Sequence, residues 1–133
     1  MGTQPTPFSK TRADHASETA EDYVEAISDI LQRQSECRVK DLAAHMEVSH
    51  VTVTRTLQRL CGERLVDKDP YGPCRLTESG RRLARQSRER HAIVLAFLKA
   101  IGVPEHEAIA DAEGMEHHVG KATLMAMRQH LDR

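Results

Sequence analysis

Tryptophan is absent from this 133-residue chain, and the only aromatic residues are Phe8, Tyr23, Tyr71 and Phe97. A core of Leu, Val, Ile and Ala with so few large rings is thin, so burial against a second copy of the chain is expected to supplement it. Cysteine is sparse too: Cys37, Cys61 and Cys74 are odd in number, widely spaced, and form no Cys-x-x-Cys pair. That pattern argues against a disulfide frame or a thiolate zinc site and fits a reducing compartment. No apolar run approaches the ~18 residues of a membrane span, and no secretory h-region is visible. A soluble, cytoplasmic protein without membrane contact is expected.

The net charge of −1 gives no hint of a polyanionic partner, but its distribution does. Residues 1–37 carry 3 Lys/Arg and 7 Asp/Glu, residues 38–90 carry 12 and 7, and residues 91–133 carry 4 and 6. A basic middle between two acidic flanks suggests an anion-binding module beside a cation-binding one. A merely solvated charged surface would give the same counts.

Residues 1–18, rich in Pro, Thr and Ser, read as a disordered N-terminal arm. Ser17 is then expected to cap a first helix over 18–34, with Ala20, Tyr23, Val24, Ile27, Ile30 and Leu31 at helical spacing. A short helix over 39–46 turns Leu42, Ala43 and Met46 inward. Glu47-Val48 makes the turn, and Ser49 caps a third helix over 50–64 whose buried side is Val53, Leu57 and Leu60. Two short strands at 65–68 and 74–77 flank a Pro- and Gly-bearing turn. A long helix over 77–100 stops at Gly102 and Pro104, and helices over 104–118 and 121–131 follow. The fold class is mostly α with a small β wing. A winged helix-turn-helix domain is expected at 19–78 and a helical dimerisation and metal-binding domain at 79–133.

Short helix, tight turn, second helix and hairpin is the winged helix-turn-helix order, which lays the second helix in a major groove. The outer face of the third helix carries His50, Thr52, Arg55 and Arg59, beginning at Ser49, with no acidic residue between His50 and Gly62. Thr52 and Arg55 suit base edges, whereas Arg59, Lys68 and Arg75 suit phosphates of double-stranded operator DNA. The competing reading is a winged helix used only for protein contacts.

The segment Asp111-Ala-Glu-Gly-Met-Glu-His-His118 is the most chemically loaded in the chain. On a helix Glu113, Glu116 and His117 fall at i, i+3 and i+4 and share one face, so two carboxylates and an imidazole form half a hard-donor coordination shell. The competing reading of His117 and His118 is a polar surface pair. Asp22 and Glu25, at i and i+3 on the first helix, and His91, inside the long helix, are each unremarkable taken alone.

The run Glu89-Arg-His-Ala-Ile-Val-Leu-Ala-Phe-Leu98, the Asp-x-Glu-Gly-x-Glu-His-His block, Glu21-Asp-Tyr-Val-Glu25 and Glu47-Val-Ser-His-Val-Thr52 together resemble the manganese-sensing members of the diphtheria toxin repressor family. The likeness covers roughly residues 20–125. It implies that Asp22, Glu25, His91, Glu113, Glu116 and His117 are ligands for two nearby Mn(II) ions per chain that share bridging carboxylates. It also implies a homodimer built on the last helices, with metal fixing the distance between the two recognition helices. Half-sites for such dimers lie about 34–36 Å apart. Iron-sensing relatives place Met and Cys where this chain has Asp22 and Glu113, and all-oxygen or imidazole donors suit Mn(II) over softer metals. Nothing follows Arg133, so the third domain of the iron regulators and the extended C-terminal helix of some manganese regulators are not expected here.

Three other functions compete. An Fe(II) or Zn(II) sensor of the same family differs only in the activating metal. A winged-helix regulator not sensing metal would leave the acidic cluster solvated. A di-metal carboxylate enzyme would need paired Glu-x-x-His repeats on a four-helix bundle, and the chain has only one block containing Glu and His, with no apparent substrate pocket or catalytic nucleophile. A regulator, not an enzyme, is expected.

Overall fold

The computed structural model describes the backbone of residues 7–133 and side chains from His15 onward. Six helices and one hairpin follow in the order α1 (Pro7–Arg33), α2 (Val39–Met46), α3 (His50–Gly62), β1 (Val66–Lys68), β2 (Cys74–Leu76), α4 (Glu78–Ala100), α5 (Glu105–Met115) and α6 (Lys121–Leu131). The helix-turn-helix, the wing and the long helix form where expected. Two compact units result, one holding Thr19–Arg85 and the other Gln86–Arg133 together with the chain up to Glu18.

The N-terminal expectation needs correcting. α1 starts at Pro7, so residues 7–18 are helical and not a disordered arm, and Ser17 lies inside the helix instead of capping it. Proline with its fixed φ suits the first helical turn, and no Gly or second Pro between 8 and 33 stops propagation. Residues 1–6 of the expected arm lie outside the described residues.

In the Thr19–Arg85 unit the apolar stripe of α1 is buried as its spacing requires. Val24 and Ile27 are fully inaccessible, and they pack with Leu42, Val53, Leu57, Leu60, Val66 and Leu76 in one cluster. Local chemistry sets each boundary. At the start of α2, the Arg38 N–H donates to Asp41 Oδ2 at 2.9 Å, satisfying an end group that the helix cannot. At its end Glu47 adopts a left-handed φ of 57°, and Val48 N–H reaches back to Ala43 O at 3.1 Å. This sharp stop sets the angle between α2 and α3. Ser49 Oγ then caps α3 by accepting from Thr52 N at 3.1 Å.

β1 and β2 pair antiparallel in the register Val66↔Leu76, Asp67↔Arg75, Lys68↔Cys74. Val66, Cys74 and Leu76 are buried, whereas Asp67 and Arg75 sit exposed and opposite one another, a favourable cross-strand charge pair. Thr77 Oγ1 accepts from Gly80 N at 3.0 Å and opens α4.

The second unit has a smaller core: Val94, Leu98, Ala108, Ala112 and Met127, with Phe97, Val103 and Leu124 at its edge. The end of α4 is a Schellman turn. Gly102, at φ 102°, donates to Lys99 O at 3.1 Å, and Val103 donates to Leu98 O at 2.9 Å. α5 stops at Met115, short of the expected residue 118, and 116–118 form a turn. Ile101, Ile109 and Met125 stay exposed, as a chain with an incomplete core would leave them. Among the described residues no helix is long and apolar enough to cross a membrane.

A Cβ added at Gly80 would lie 2.1 Å from Leu65 O, whereas one at Gly62 meets nothing within 4 Å. Gly80→Ala is therefore expected to lower stability by about 1–3 kcal/mol. Gly62→Ala is expected to be neutral or to stabilise by up to ~1 kcal/mol. Thermal unfolding of both variants checks the contrast.

Candidate functional site

α3 presents its polar side because Val53, Leu57 and Leu60 occupy the buried one. Ser49, His50, Thr52, Arg55 and Arg59 are all exposed. Their availability differs. The Ser49 hydroxyl is committed to the cap and to Thr52 Oγ1 at 3.0 Å, and Arg59 Nε pairs with Glu63 Oε1 at 3.5 Å. Arg55, mid-helix and exposed, is free of any neighbouring acid within the helix.

Lys68 and Arg75, grouped together in the sequence reading, sit apart in the wing. Lys68 lines a cleft of about 580 Å³ between wing and α3, together with Arg38, Lys40, Thr54, Gln58 and Tyr71. Arg75 lines a separate hollow with Ser28, Gln32 and Arg81. The strand alternation that buries Cys74 and Leu76 turns Arg75 to the other face. Three cations line this one cleft, of which Arg38 also pairs with Glu36 Oε2 at 3.1 Å. Arg38 and Lys40 were missed as interface candidates because they precede the recognition helix. The signal was their position at the start of α2, where helix-end amides and side-chain charge add.

Two more exposed residues belong to this face. Tyr71, at the tip of the wing, is 99 % exposed, and its left-handed φ of 61° makes the turn between Pro70 and Gly72. Val51 on α3 is 62 % exposed, an apolar side chain off the buried stripe that suits a thymine methyl.

In the other unit, three of the expected metal ligands meet. Glu116, only 2 % exposed, follows the last residue of α5 with helical φ and ψ. One carboxylate oxygen, Oε2, makes a very short contact with His91 Nδ1 from α4, and the other, Oε1, lies 3.3 Å from His117 Nε2. Arg90 Nη1 donates to the Glu116 carbonyl at 3.3 Å, tying the α5 terminus to α4. The His117 side chain is 1 % exposed and that of His91 29 %. The arrangement is a buried carboxylate bridging two imidazoles, one of which is open to solvent.

Glu113 is exposed on α5, one helical turn before Glu116, which keeps helical φ and ψ although α5 ends at Met115. Asp22 and Glu25 occupy the first unit, half-buried and one turn apart on α1. Both carry polar interactions.

Oxygen and imidazole donors of this kind suit a hard or borderline divalent cation such as Mn(II), and no sulfur belongs to the set. The same three residues would serve equally as a buried hydrogen-bonded network without an ion.

Comparison with known proteins bears on both faces. The family model "Iron dependent repressor, N-terminal DNA binding domain" matches residues 15–73, and "Iron dependent repressor, metal binding and dimerisation domain" matches residues 77–133. The transcriptional regulator MntR of Escherichia coli O6:H1 is 46 % identical over 121 residues, covering 91 % of this chain and 78 % of that protein. The HTH-type transcriptional regulator MntR of Geobacillus kaustophilus is 33 % identical over 99 residues, covering 74 % and 70 %. Among solved structures, a manganese-dependent transcriptional repressor in complex with manganese superposes with a TM-score of 0.74 at 30 % identity. That match covers 85 % of this chain and 52 % of the other, so this chain spans about half the solved one. The manganese regulator SloR gives a TM-score of 0.73 at 27 % identity, with 85 % and 53 % covered.

If the wing cleft holds a phosphate, Lys40→Ala is expected to weaken DNA binding alike for every sequence. It would also reduce the slope of log K against log salt by about 0.9. Arg55→Ala is expected instead to weaken binding to one site more than to competitor DNA. Salt titrations of both variants distinguish the roles.

Proposed function

Because the chain belongs to the iron-dependent repressor family, bearing out the resemblance to the diphtheria toxin repressors, we propose that it is a manganese-responsive transcriptional repressor. In this reading a homodimer binds operator DNA upstream of manganese uptake genes when Mn(II) is bound. The single observation that carries the metal part is Glu116, a buried carboxylate with an imidazole at each oxygen. The names of its relatives support manganese as the metal.

The proposed ligands are Asp22, Glu25, His91, Glu113, Glu116 and His117, for two Mn(II) ions per chain. A divalent ion would supply fixed positive charge that the carboxylates holding it share, which lowers the repulsion between them. Each side chain has a separate part. Glu116, held by His91 and His117, offers preorganised oxygen atoms, so little ordering remains to be done on binding. His91, the more accessible imidazole, gives the path from solvent. Glu113, exposed on α5, is free to swing toward an ion without disturbing the core. Asp22 and Glu25 lie on α1, whose apolar stripe shares the DNA-binding core with α2 and α3.

Activation is then a linkage effect. Metal that binds the DNA-competent arrangement more tightly raises its population, and DNA in turn tightens metal binding by the same factor. On the DNA side, His50, Thr52 and Arg55 reach base edges, with Val51 adding an apolar contact. Lys68, Arg59 and Arg75 join Arg38 and Lys40 at the phosphates, and Ser49 fixes the start of the helix they flank.

Fluorescence anisotropy with the gene's own upstream DNA tests this. Mn(II) is expected to promote binding and a chelator to abolish it. Glu25→Ala and Glu113→Ala, neither of which opens a buried core position, should keep the native circular dichroism. Each should need at least about tenfold more Mn(II) for half-maximal DNA binding. Binding independent of metal, or variants indistinguishable from the parent, would refute the proposal.

A further inference from the structure

We propose that Cys37 and Cys74 form a modification site, a dithiol that a hydroperoxide oxidises to an internal disulfide, pinning the wing to the start of α2. Nothing in the metal or DNA reading uses these residues. They lie 37 positions apart, yet the fold pairs them across an antiparallel bridge, with Cys74 N–H donating to Cys37 O at 2.8 Å. While protonated, Cys74 Sγ–H donates to the same carbonyl at 3.3 Å, a bond that the thiolate gives up for one accepted from the Cys37 thiol. Residues facing each other across an antiparallel pair have Cα atoms about 4.5–5.5 Å apart. Disulfides span Cα separations of roughly 4.4–6.8 Å, so residues paired in this way stand within the span of a disulfide.

The surroundings assign each sulfur a role. A hydrogen bond from Cys37 holds the Cys74 thiol below its ordinary value, and Lys68, its cross-strand partner, adds to this against the opposing effect of burial. The hydrogen bond to Cys74 and burial push Cys37 up, so it keeps its proton. Cys74 is thus the attacking sulfur and Cys37 the resolving one. Cys61, raised chiefly by burial, is the poorer nucleophile despite being more accessible.

The Cys74 thiolate attacks the distal peroxide oxygen, the O–O bond breaks, and hydroxide or alkoxide leaves, giving a sulfenic acid. Cys37 then gives up its proton and attacks the Cys74 sulfur. The S–O bond breaks, and the departing oxygen takes a proton to leave as water. Two thiols have lost two electrons and two protons, and hydrogen peroxide has become two waters. Both sulfurs are buried, at 0 % and 1 % exposure, so the oxidant enters when the hairpin opens. A wing of two three-residue strands is a marginal element that opens readily.

The folded full-length Cys61→Ser variant is treated with hydrogen peroxide, and remaining free thiols are alkylated before intact-mass and peptide mapping. The expected product has lost two hydrogens, takes up no alkylating agent, and yields a Cys37–Cys74 linked peptide that dithiothreitol reverses. Its thermal midpoint should rise by several degrees over the reduced form. In Cys37→Ser the reaction should halt at a Cys74 sulfenic acid that dimedone traps. The proposal fails if both thiols stay alkylatable in the folded protein, or if Cys74 runs on to the sulfinic acid beside an intact Cys37. Linkage of Cys61 to either residue in the parent chain would also overturn it.

Discussion

A carboxylate taken out of water costs several kcal/mol unless charge or hydrogen bonds replace its hydration. Glu116, at 2 % exposure, imposes that condition on everything around it. His91 and His117 take its two oxygens, and Arg90 takes its backbone carbonyl. The meeting of α4 with the end of α5 is therefore fixed by polar contacts as well as by the small apolar core of Val94, Leu98, Ala108 and Ala112. An imidazole supplies a hydrogen bond where an arginine would supply permanent charge. In the proposed role, a divalent cation would complete the charge balance of this pocket.

The DNA-binding unit solves a different problem by the same economy of contacts. Its core is continuous from α1 through the wing, so cationic side chains are left to the surface, where hydration keeps them. Arg38, Lys40 and Lys68 converge on the cleft beside α3 because the Glu47 turn and the Ser49 cap set the angle between α2 and α3. The wing is the smallest element of this unit. Its two short strands are held to α2 by the Cys37–Cys74 bridge, a contact that redox chemistry can make covalent.

What the sequence disclosed follows from how local each signal is. The bounds of α2 and the cap and buried stripe of α3 were readable because Ser49, Val53, Leu57 and Leu60 act within one or two turns. The start of α1 was not readable. Pro, Thr and Ser before Glu18 resemble a loop in composition, but Pro7 at a first turn and the absence of later breakers allow a helix. The end of α5 was misjudged for a related reason: the turn at 116–118 aims His117 toward Glu116, which helical spacing alone does not foresee. His91 was identified only through family resemblance, since its meaning lies in a partner 25 residues away. Arg75 and Lys68 looked equivalent on paper and fall on opposite faces of the wing, because pleating assigns neighbours in a hairpin to alternate sides. The wide spacing of Cys37 and Cys74 argued against a disulfide frame, because their pairing depends on a bridge between segments 37 residues apart.

Central to the proposed function is Glu116 as a metal ligand and not only a structural acid. Titrating Mn(II) into the protein while following free Mn(II) by its six-line electron paramagnetic resonance spectrum tests this most directly, with Glu116→Gln as the companion. Glutamine keeps the shape and one carbonyl acceptor but removes the charge. The account predicts that the parent chain silences about two equivalents of the signal before free ion appears. It also predicts that Glu116→Gln, with an unchanged circular dichroism spectrum, silences markedly fewer. Equal uptake by the two proteins, or none by the parent, would contradict it.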